Sequence, residues 1–291
     1  MSALNDLKAA VRRRFEFIEF NLSWEKKIGR KQLQDAFDIS PQQATIDLNA
    51  YLDAVPGSMR YDPRLRTYIP RQSYRPQLTS GSTSEYLLQL EMLLHGYRDP
   101  SDVWIQDAPD LDGVFVRARP IAPDVLRVLL EAIRNECAMS ATYVSLSSHN
   151  ESRRTLLPHA LANDGHRWHV RAYDVENERY SDFVISRIEE AKLDAASGGE
   201  RPEDADWDLF VEVLMRPQSD LSDRQKEKLK FEYQMIDGTL VLKVRKAMLY
   251  YYLRTYGFNP NPNKNRRLDN NSSFSLEIEN VDDVENWLGW R

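Results

Sequence analysis

At 291 residues the chain exceeds what one core normally serves, and 42% hydrophobic with 29% charged residues is the balance of a chain that folds throughout, so several packed modules are expected. No run approaches the ~20 apolar residues of a membrane span, the opening MSALNDLKAAVRRRFEF lacks the apolar core of a secretory signal, and a single cysteine, Cys137, excludes an internal disulfide or a thiolate metal cage; a cytoplasmic protein is expected. The net charge of −6 conceals an asymmetry, because residues 1–75 hold 13 Lys+Arg against 9 Asp+Glu while the remainder holds 26 against 36, which points to a basic, polyanion-binding head on an acidic body.

Leu4, Leu7, Val11, Phe15, Ile18 and Leu22 recur at helical spacing and predict a first helix from Leu4 to about Leu22. A second helix is expected over Arg30 to Phe37, with Leu33, Ala36 and Phe37 facing inward, followed by a turn at Asp38-Ile39-Ser40. Ser40 before Pro41 is a start signal, since the hydroxyl can cap a free amide and proline fits the first helical position. The third helix would bury Ala44, Ile46, Leu48, Tyr51, Leu52 and Val55 and stop at Pro56-Gly57. Met59 to Pro70 reads as a hairpin with its turn at Asp62-Pro63-Arg64. Three helices and a hairpin make a winged helix-turn-helix.

Residues 73–84 are rich in Ser, Thr, Pro and Gly and predict a linker. Helices are expected over Ser84 to Gly96 and Ala122 to Cys137, with a connector of short-strand character over Val103 to Arg119. From Ala141 the period changes to two: Thr142 to Ser147, Arg167 to Tyr173 and Arg179 to Ile188 form a small antiparallel module turning at Asn163-Asp164-Gly165. An acidic, glycine-containing run over Ala195 to Asp206 predicts a second linker. Strand and helix then alternate over Leu209 to Met215, Ser222 to Phe231, Thr239 to Val244 and Lys246 to Tyr256, with a last helix over Val284 to Trp290. The fold class is therefore α+β multidomain: residues 1–75 a reader, 76–118 a helical connector, 119–197 a β module and 205–291 a C-terminal α/β module.

At the start of a recognition helix, amide and hydroxyl side chains can reach base edges in the major groove; here Gln42, Gln43 and Thr45 stand there. Ser40 and the first-turn amides can hold a phosphate, as can Lys26, Arg30, Lys31, Arg60, Arg64 and Arg66 around the second helix and hairpin. The expected partner is double-stranded operator DNA. The competing reading is a three-helix module that packs on a protein partner, its charges a solvated face.

In the β module, Gly165-His166-Arg167-Trp168-His169-Val170-Arg171-Ala172-Tyr173 is followed by Asp182-Phe183-Val184-Ile185-Ser186-Arg187-Ile188, with Leu157-Pro158-His159-Ala160-Leu161 upstream. These segments resemble the WYL domain, a small Sm-like β fold of bacterial regulators, with Trp-His-Val at the namesake triplet. With the N-terminal head and C-terminal extension, nearly the whole chain resembles the BrxR and CapW repressors of anti-phage defence islands. That resemblance implies a homodimer that represses a defence operon until a signal releases it. It also implies a ligand pocket at Tyr143, Ser145 or Ser147, His159, Arg171 and Arg187. Alternation along the strands independently groups Tyr143, Ser145 and Ser147 on one face, and His169, Arg171 and Tyr173 on another, with Trp168, Val170 and Ala172 turned into the core.

Two arginines, a histidine and hydroxyls suit an anionic ligand such as a nucleotide, an oligonucleotide or a phosphorylated metabolite. Equally open is the reading in which Arg171 and Arg187 pair with Asp174, Asp182 or Glu189 at the surface. No P-loop, dinucleotide fingerprint or His-Glu-x-x-His is present, so no enzyme, cofactor or metal is expected. His166 and His169 fall on opposite faces of a strand and are not a joint ligand pair. The aromatic stretch Tyr250, Tyr251, Tyr252, Tyr256 and Phe258 is read as core or subunit interface, and Asn263-Lys264-Asn265-Arg266-Arg267 as a solvated loop.

Overall fold

A computed structural model describes residues 4, 6–106, 108–114, 119–146, 151–194, 200–260 and 268–289. The chain divides into two compact units, 1–115 and 116–291. In the first, α1 (Ala9–Ser23), α2 (Arg30–Phe37) and α3 (Pro41–Ala54) precede a hairpin of β1 (Met59–Asp62) and β2 (Thr67–Pro70). The first helix begins later than expected, at Ala9, yet Leu4 still lies in the core with Phe15, Ile18, Leu22, Leu33, Leu48 and Tyr51. Asp38 takes a left-handed φ of 49° between α2 and α3, and the Ser40 hydroxyl accepts the Gln43 N–H at 3.1 Å, the cap expected of it.

Two residues assigned inward by periodicity face out: Ala36 is exposed, and Ile46 is 58% exposed. Both sit at the edge of an apolar stripe, where spacing alone does not say which side the neighbouring helix covers. The hairpin runs in register from Met59 opposite Pro70 to Asp62 opposite Thr67. Its tip is pinned by Asp62 Oδ1, which accepts from the amides of Arg64 (2.9 Å) and Leu65 (3.2 Å). Ile28 bridges Tyr68 by two backbone hydrogen bonds of 2.9 Å and extends the wing.

The segment 73–84 is not a free linker. Glu19, fully buried on α1, accepts the amides of Gln77 (2.8 Å), Leu78 (2.8 Å) and Thr79 (2.9 Å) as well as the Tyr51 hydroxyl (3.1 Å). This carboxylate supplies the acceptors that a backbone leaving secondary structure would otherwise lack. Then come α4 (Thr83–Leu94), capped by Ser82, and a 3-10 turn at Pro100–Asp102. The described part of the connector holds no strand; instead Trp104 packs edge-on against Phe17 and Phe20 at 5.8 and 5.7 Å between ring centroids.

The second unit starts with α5 (Pro123–Arg134), whose Val125, Leu129 and Ala132 lie on one helical face. They cover a five-stranded antiparallel sheet of β3 (Met139–Val144), β4 (Glu151–Asn163), β5 (Trp168–Asp174), β6 (Arg179–Val184) and β7 (Ile188–Leu193), in the order β6-β5-β4-β3-β7. The long β4 lies outside the strands expected from periodicity, and it carries Pro158, a residue that cannot donate to a ladder. A register shift between Pro158 and Ala160 accommodates it. Trp168, expected in the core, is 51% exposed, whereas Val170 and Ala172 are buried as expected.

A short helix, α6 (Ala205–Asp208), leads into β8 (Phe210–Pro217), α7 (Asp223–Glu232), β9 (Leu240–Arg245), α8 (Leu249–Thr255), β10 (Leu276–Ile278) and α9 (Val281–Trp287). The sheet order is β10-β8-β9, both pairs antiparallel; the three-residue β10 is too short to register in the sequence pattern. Val211, Val213 and Met215 alternate inward from β8 onto Leu249 and Leu253 of α8 and Val284 of α9. No helix among the described residues is long and apolar enough to cross a membrane.

Candidate functional site

Two sites emerge, one in each unit. In the first unit, Arg14 of α1 donates to Asp47 of α3 through Nε (2.7 Å) and Nη2 (3.2 Å), clamping the helix that carries the predicted reading residues. Asp47 also accepts the Gln43 side-chain amide at 3.1 Å, and the Thr45 hydroxyl donates to the Pro41 carbonyl at 2.9 Å. Of the three predicted base-reading side chains, only Gln42 is exposed without a hydrogen bond among the described residues. Exposed Ile46 and Asn49 follow it at helical steps of four and three, so the outward face of α3 reads Gln42, Ile46, Asn49. Sequence reasoning missed Ile46 because an isoleucine at helical spacing ordinarily belongs to a core.

A groove of about 290 Å³ lies between α3, the start of α2 and the wing, lined among others by Arg30, Thr45, Tyr61, Arg66, Thr67 and Tyr68. Arg66 stands at the hairpin tip with a left-handed φ of 52°. The Thr67 hydroxyl oxygen is buried there with no hydrogen-bond partner among the described residues. Lys26, Lys31, Ser40, Arg60 and Arg64 are all exposed but do not line this groove; Lys26 precedes the Ile28 bridge to the wing.

In the second unit, of the five predicted pocket residues that are described, the structure brings together His159 of β4 and Arg171 of β5. What joins them is a carboxylate from the predicted linker. Asp204, 2% exposed, receives Arg171 through Nε (2.8 Å) and Nη2 (3.1 Å), lies 3.0 Å from His159 Nε2, and accepts the Trp207 N–H at 3.2 Å. Arg171 Nη1 also donates to Asp182 Oδ1 at 3.2 Å, and Asp182 Oδ2 accepts the Tyr251 hydroxyl of α8 at 3.1 Å. Burial alone would raise the Asp204 carboxyl, but the Arg171 guanidinium, His159 and the Trp207 amide hold it below the ordinary range. Burial pushes the His159 imidazole down, assisted by Arg201 and Arg171 and opposed by Asp204. Burial drives the Tyr251 hydroxyl well above its usual range, with Asp182 adding to the effect.

The surface ion-pair alternative is half right: Arg171 does pair with Asp182, but Arg171 is buried and Asp182 partly so, and Asp174 is taken by Arg154 at 3.2 Å. Tyr143 is half-buried against Phe183, its hydroxyl accepting the Val184 N–H at 3.3 Å, and faces the α5 core instead of the Asp204 cluster. Ser145 lies past the end of β3, so the shared-face argument does not reach it, and Ser147 lies outside the described residues, as does the 263–267 loop. Arg187 occupies the 3-10 turn Ile185–Arg187 after β6. At the namesake triplet, buried His169 places Nε2 3.0 Å from Asp164 Oδ2, and its Nδ1 has no partner among the described residues. The missed members, Asp204, Trp207 and Tyr251, carried one local signal: Asp204 followed three residues later by Trp207 is a helix-cap spacing inside an acidic run.

The arrangement defines a three-module class: a winged helix, a small antiparallel β module and a C-terminal α+β module. Family models agree in all three, matching the BrxR transcriptional regulator winged helix-turn-helix domain at residues 10–92, the WYL domain at 124–193 and the BrxR transcriptional regulator C-terminal dimerization domain at 210–284. The chain belongs to the BrxR and CapW family. A protein named DNA-binding transcriptional repressor CapW from Escherichia coli (strain KTE188) is 32% identical over 94% of this chain and 90% of its own length. One of the same name from Stenotrophomonas maltophilia is 31% identical over 95% and 91%. Among solved structures, the proteasome accessory factor PafBC of Arthrobacter aurescens aligns over 97% of this chain and 46% of its own at 14% identity and a TM-score of 0.31.

Proposed function

We propose that this chain is a homodimeric DNA-binding repressor of a phage-defence operon, released by an anionic, nucleotide-like ligand bound in its WYL module. Residues 1–75 serve as reader, 76–118 as connector, 119–197 as sensor and 205–291 as the dimerisation module. The protein binds and switches; it is assigned no catalytic step.

The observation that carries the DNA reading is the outward face of α3. Gln42 can exchange hydrogen bonds with an adenine edge, Ile46 can meet a thymine methyl, and Asn49 extends the reach along the groove. Gln43 and Thr45 support this face from behind through Asp47 and Pro41 and would contact DNA only after releasing those bonds. Arg30, Arg66 and the partnerless Thr67 hydroxyl suit one phosphate, while Lys26, Lys31, Ser40, Arg60 and Arg64 suit the flanking backbone. Two such heads fit a pseudo-palindrome with half-sites about 34–36 Å apart, or a multiple of that.

Support for ligand control is the convergence of buried Arg171 and partly buried His159 on one carboxylate, a set of donors suited to an oxyanion. Tyr143, Ser145 and Arg187 join this pocket if the module rearranges on binding, and Ser147, outside the described residues, is kept in it by the family resemblance.

The test is fluorescence anisotropy with the DNA upstream of the chain's own gene. Specific binding that Gln42→Ala weakens by about 1–3 kcal/mol, by a protein with twice the 33.9 kDa chain mass in light scattering, is expected. Failure to bind any duplex at low salt would overturn the reading and leave the rival, a ligand-sensing module that engages a protein.

A further inference from the structure

The anion site of the sensor module is filled by a residue of this chain. Asp204 occupies it with four donors around one carboxylate: two guanidinium nitrogens, the His159 ring and a backbone amide. A guanidinium fork with added N–H donors is equally the coordination of a phosphate group. Aromatic rings surround it, with the Arg171 guanidinium 5.5 Å from the Tyr180 ring centroid and His159 edge-on to Tyr180 and Trp207 at 5.5 and 5.7 Å. Beside His159 opens a cavity of about 120 Å³ lined also by Arg201, Pro158 and Cys137.

Charge sets what could replace Asp204. With His159 neutral, Arg171 and Arg201 balance Asp182 and Asp204; withdrawing Asp204 leaves one excess positive charge, which a singly charged phosphate oxyanion cancels. Burial and the two arginines lower the His159 pKa, in keeping with the neutral form.

Granted ligand control of the WYL module, we propose that Asp204 is an internal competitor for the phosphate group of the ligand, so that the ligand binds Arg171 and His159 by expelling Asp204 and releasing the strap 200–208. The far end of that strap is fastened to the C-terminal module. Arg245 Nη1 donates to the Trp207 carbonyl at 2.5 Å and lies 4.9 Å from the Trp207 ring, Lys246 Nζ pairs with Asp206 at 2.7 Å, and the Lys246 N–H donates to the Leu209 carbonyl at 2.8 Å. Expulsion of Asp204 therefore acts on β9. Turning the Arg171 guanidinium toward a phosphate also disturbs Asp182, and through it Tyr251 of α8. A closed strap lowers apparent ligand affinity by the fraction of molecules in which the site is open.

Asp204→Asn keeps the cap on Trp207 and removes the charge; Asp204→Ser is a second capping variant should the first fail to fold. Titration calorimetry on the full chain would use inorganic phosphate, adenosine monophosphate and a thymidine hexanucleotide as probes. The expected result is that a neutral variant binds at least one probe tenfold or more tighter than the unaltered protein, a difference of about 1.4 kcal/mol, and that Arg171→Ala loses that binding. The probe that gains most distinguishes free phosphate, mononucleotide and oligonucleotide as the source. Equal affinity with and without the Asp204 charge, lost on Arg171→Ala, would overturn the competitor role and leave ligand control standing. Binding of no probe by any form would overturn both.

Discussion

Arg14 and Asp47, 33 residues apart, are locked in a two-point pair with side chains 12% and 3% exposed, and this pair sets the rotation of α3 about its axis. It turns Ala44, Leu48 and Tyr51 inward and leaves Gln42, Ile46 and Asn49 outward. Removing one partner strands a charge with little solvent. Asp47→Ala should therefore cost about 3 kcal/mol in urea denaturation, and Arg14→Met no less, because it strands the more deeply buried carboxylate. Equal stability of Asp47→Ala and the unaltered protein would show that the pair does not hold the helix.

The residues proposed to read bases and those proposed to contact the backbone should separate by their salt dependence. Ile46→Ala and Gln42→Ala are each expected to weaken specific binding by about 1–3 kcal/mol while leaving the salt slope unchanged. Arg30→Gln and Arg66→Gln should weaken all duplexes alike and each reduce the slope by about 0.9. Anisotropy titrations across a salt series would check this, and a changed slope for Ile46→Ala would remove it from the reading face.

Glu19 makes the same kind of demand on the 73–84 segment. Glu19→Ala leaves three amides and the Tyr51 hydroxyl without their acceptor, for a loss of about 3 kcal/mol or more; Glu19→Gln keeps acceptor capacity on one oxygen and should cost less. Hydrogen exchange over residues 74–82 should accelerate in the alanine variant. Unchanged protection would mean that Glu19 is not what orders the segment.

Asp164 supplies a pH dependence of known sign. Burial by itself would raise its carboxyl, but His169, the amides of His166 and Arg167 and the His169 charge bring it down to about 2. A carboxyl depressed in the folded state binds fewer protons there than in the unfolded chain, so its stabilisation is complete above the unfolded value near 4 and fades as pH falls toward 2. The contribution at neutral pH is on the order of 2 kcal/mol. Asp164→Asn should lower stability at pH 7 and flatten the thermal midpoint between pH 5 and 2; an unchanged acid limb would sink this assignment.

Local chemistry made much of the head legible. Ser40-Pro41 located α3 to the residue, Asp62 marked the wing tip, and α2 ran over the expected eight residues. Each of these is decided within a few residues by a cap, a fixed φ or a side chain bonded to its own turn. Misreadings fell where an edge position was judged by hydrophobicity alone, at Ile46, Ala36 and Trp168, and β4 went unassigned because its burial does not alternate with period two. Composition misled in the same way at 73–84 and around Asp204, since polar, glycine-bearing stretches look alike whether solvated or fastened by a buried carboxylate.

From sequence alone came the basic reader, the β module with its resemblance to the WYL fold, and the residue types that an anion site needs, because periodicity, capping and charge balance are local properties. Tertiary structure decided which of those side chains meet. Arg171 and Asp204 are 33 residues apart, and neither carries a mark of the other. Their pairing exists because β4 and β5 set His159 and Arg171 side by side and α6 brings a carboxylate over them; burial then rewards a matched charge and penalises an unmatched one.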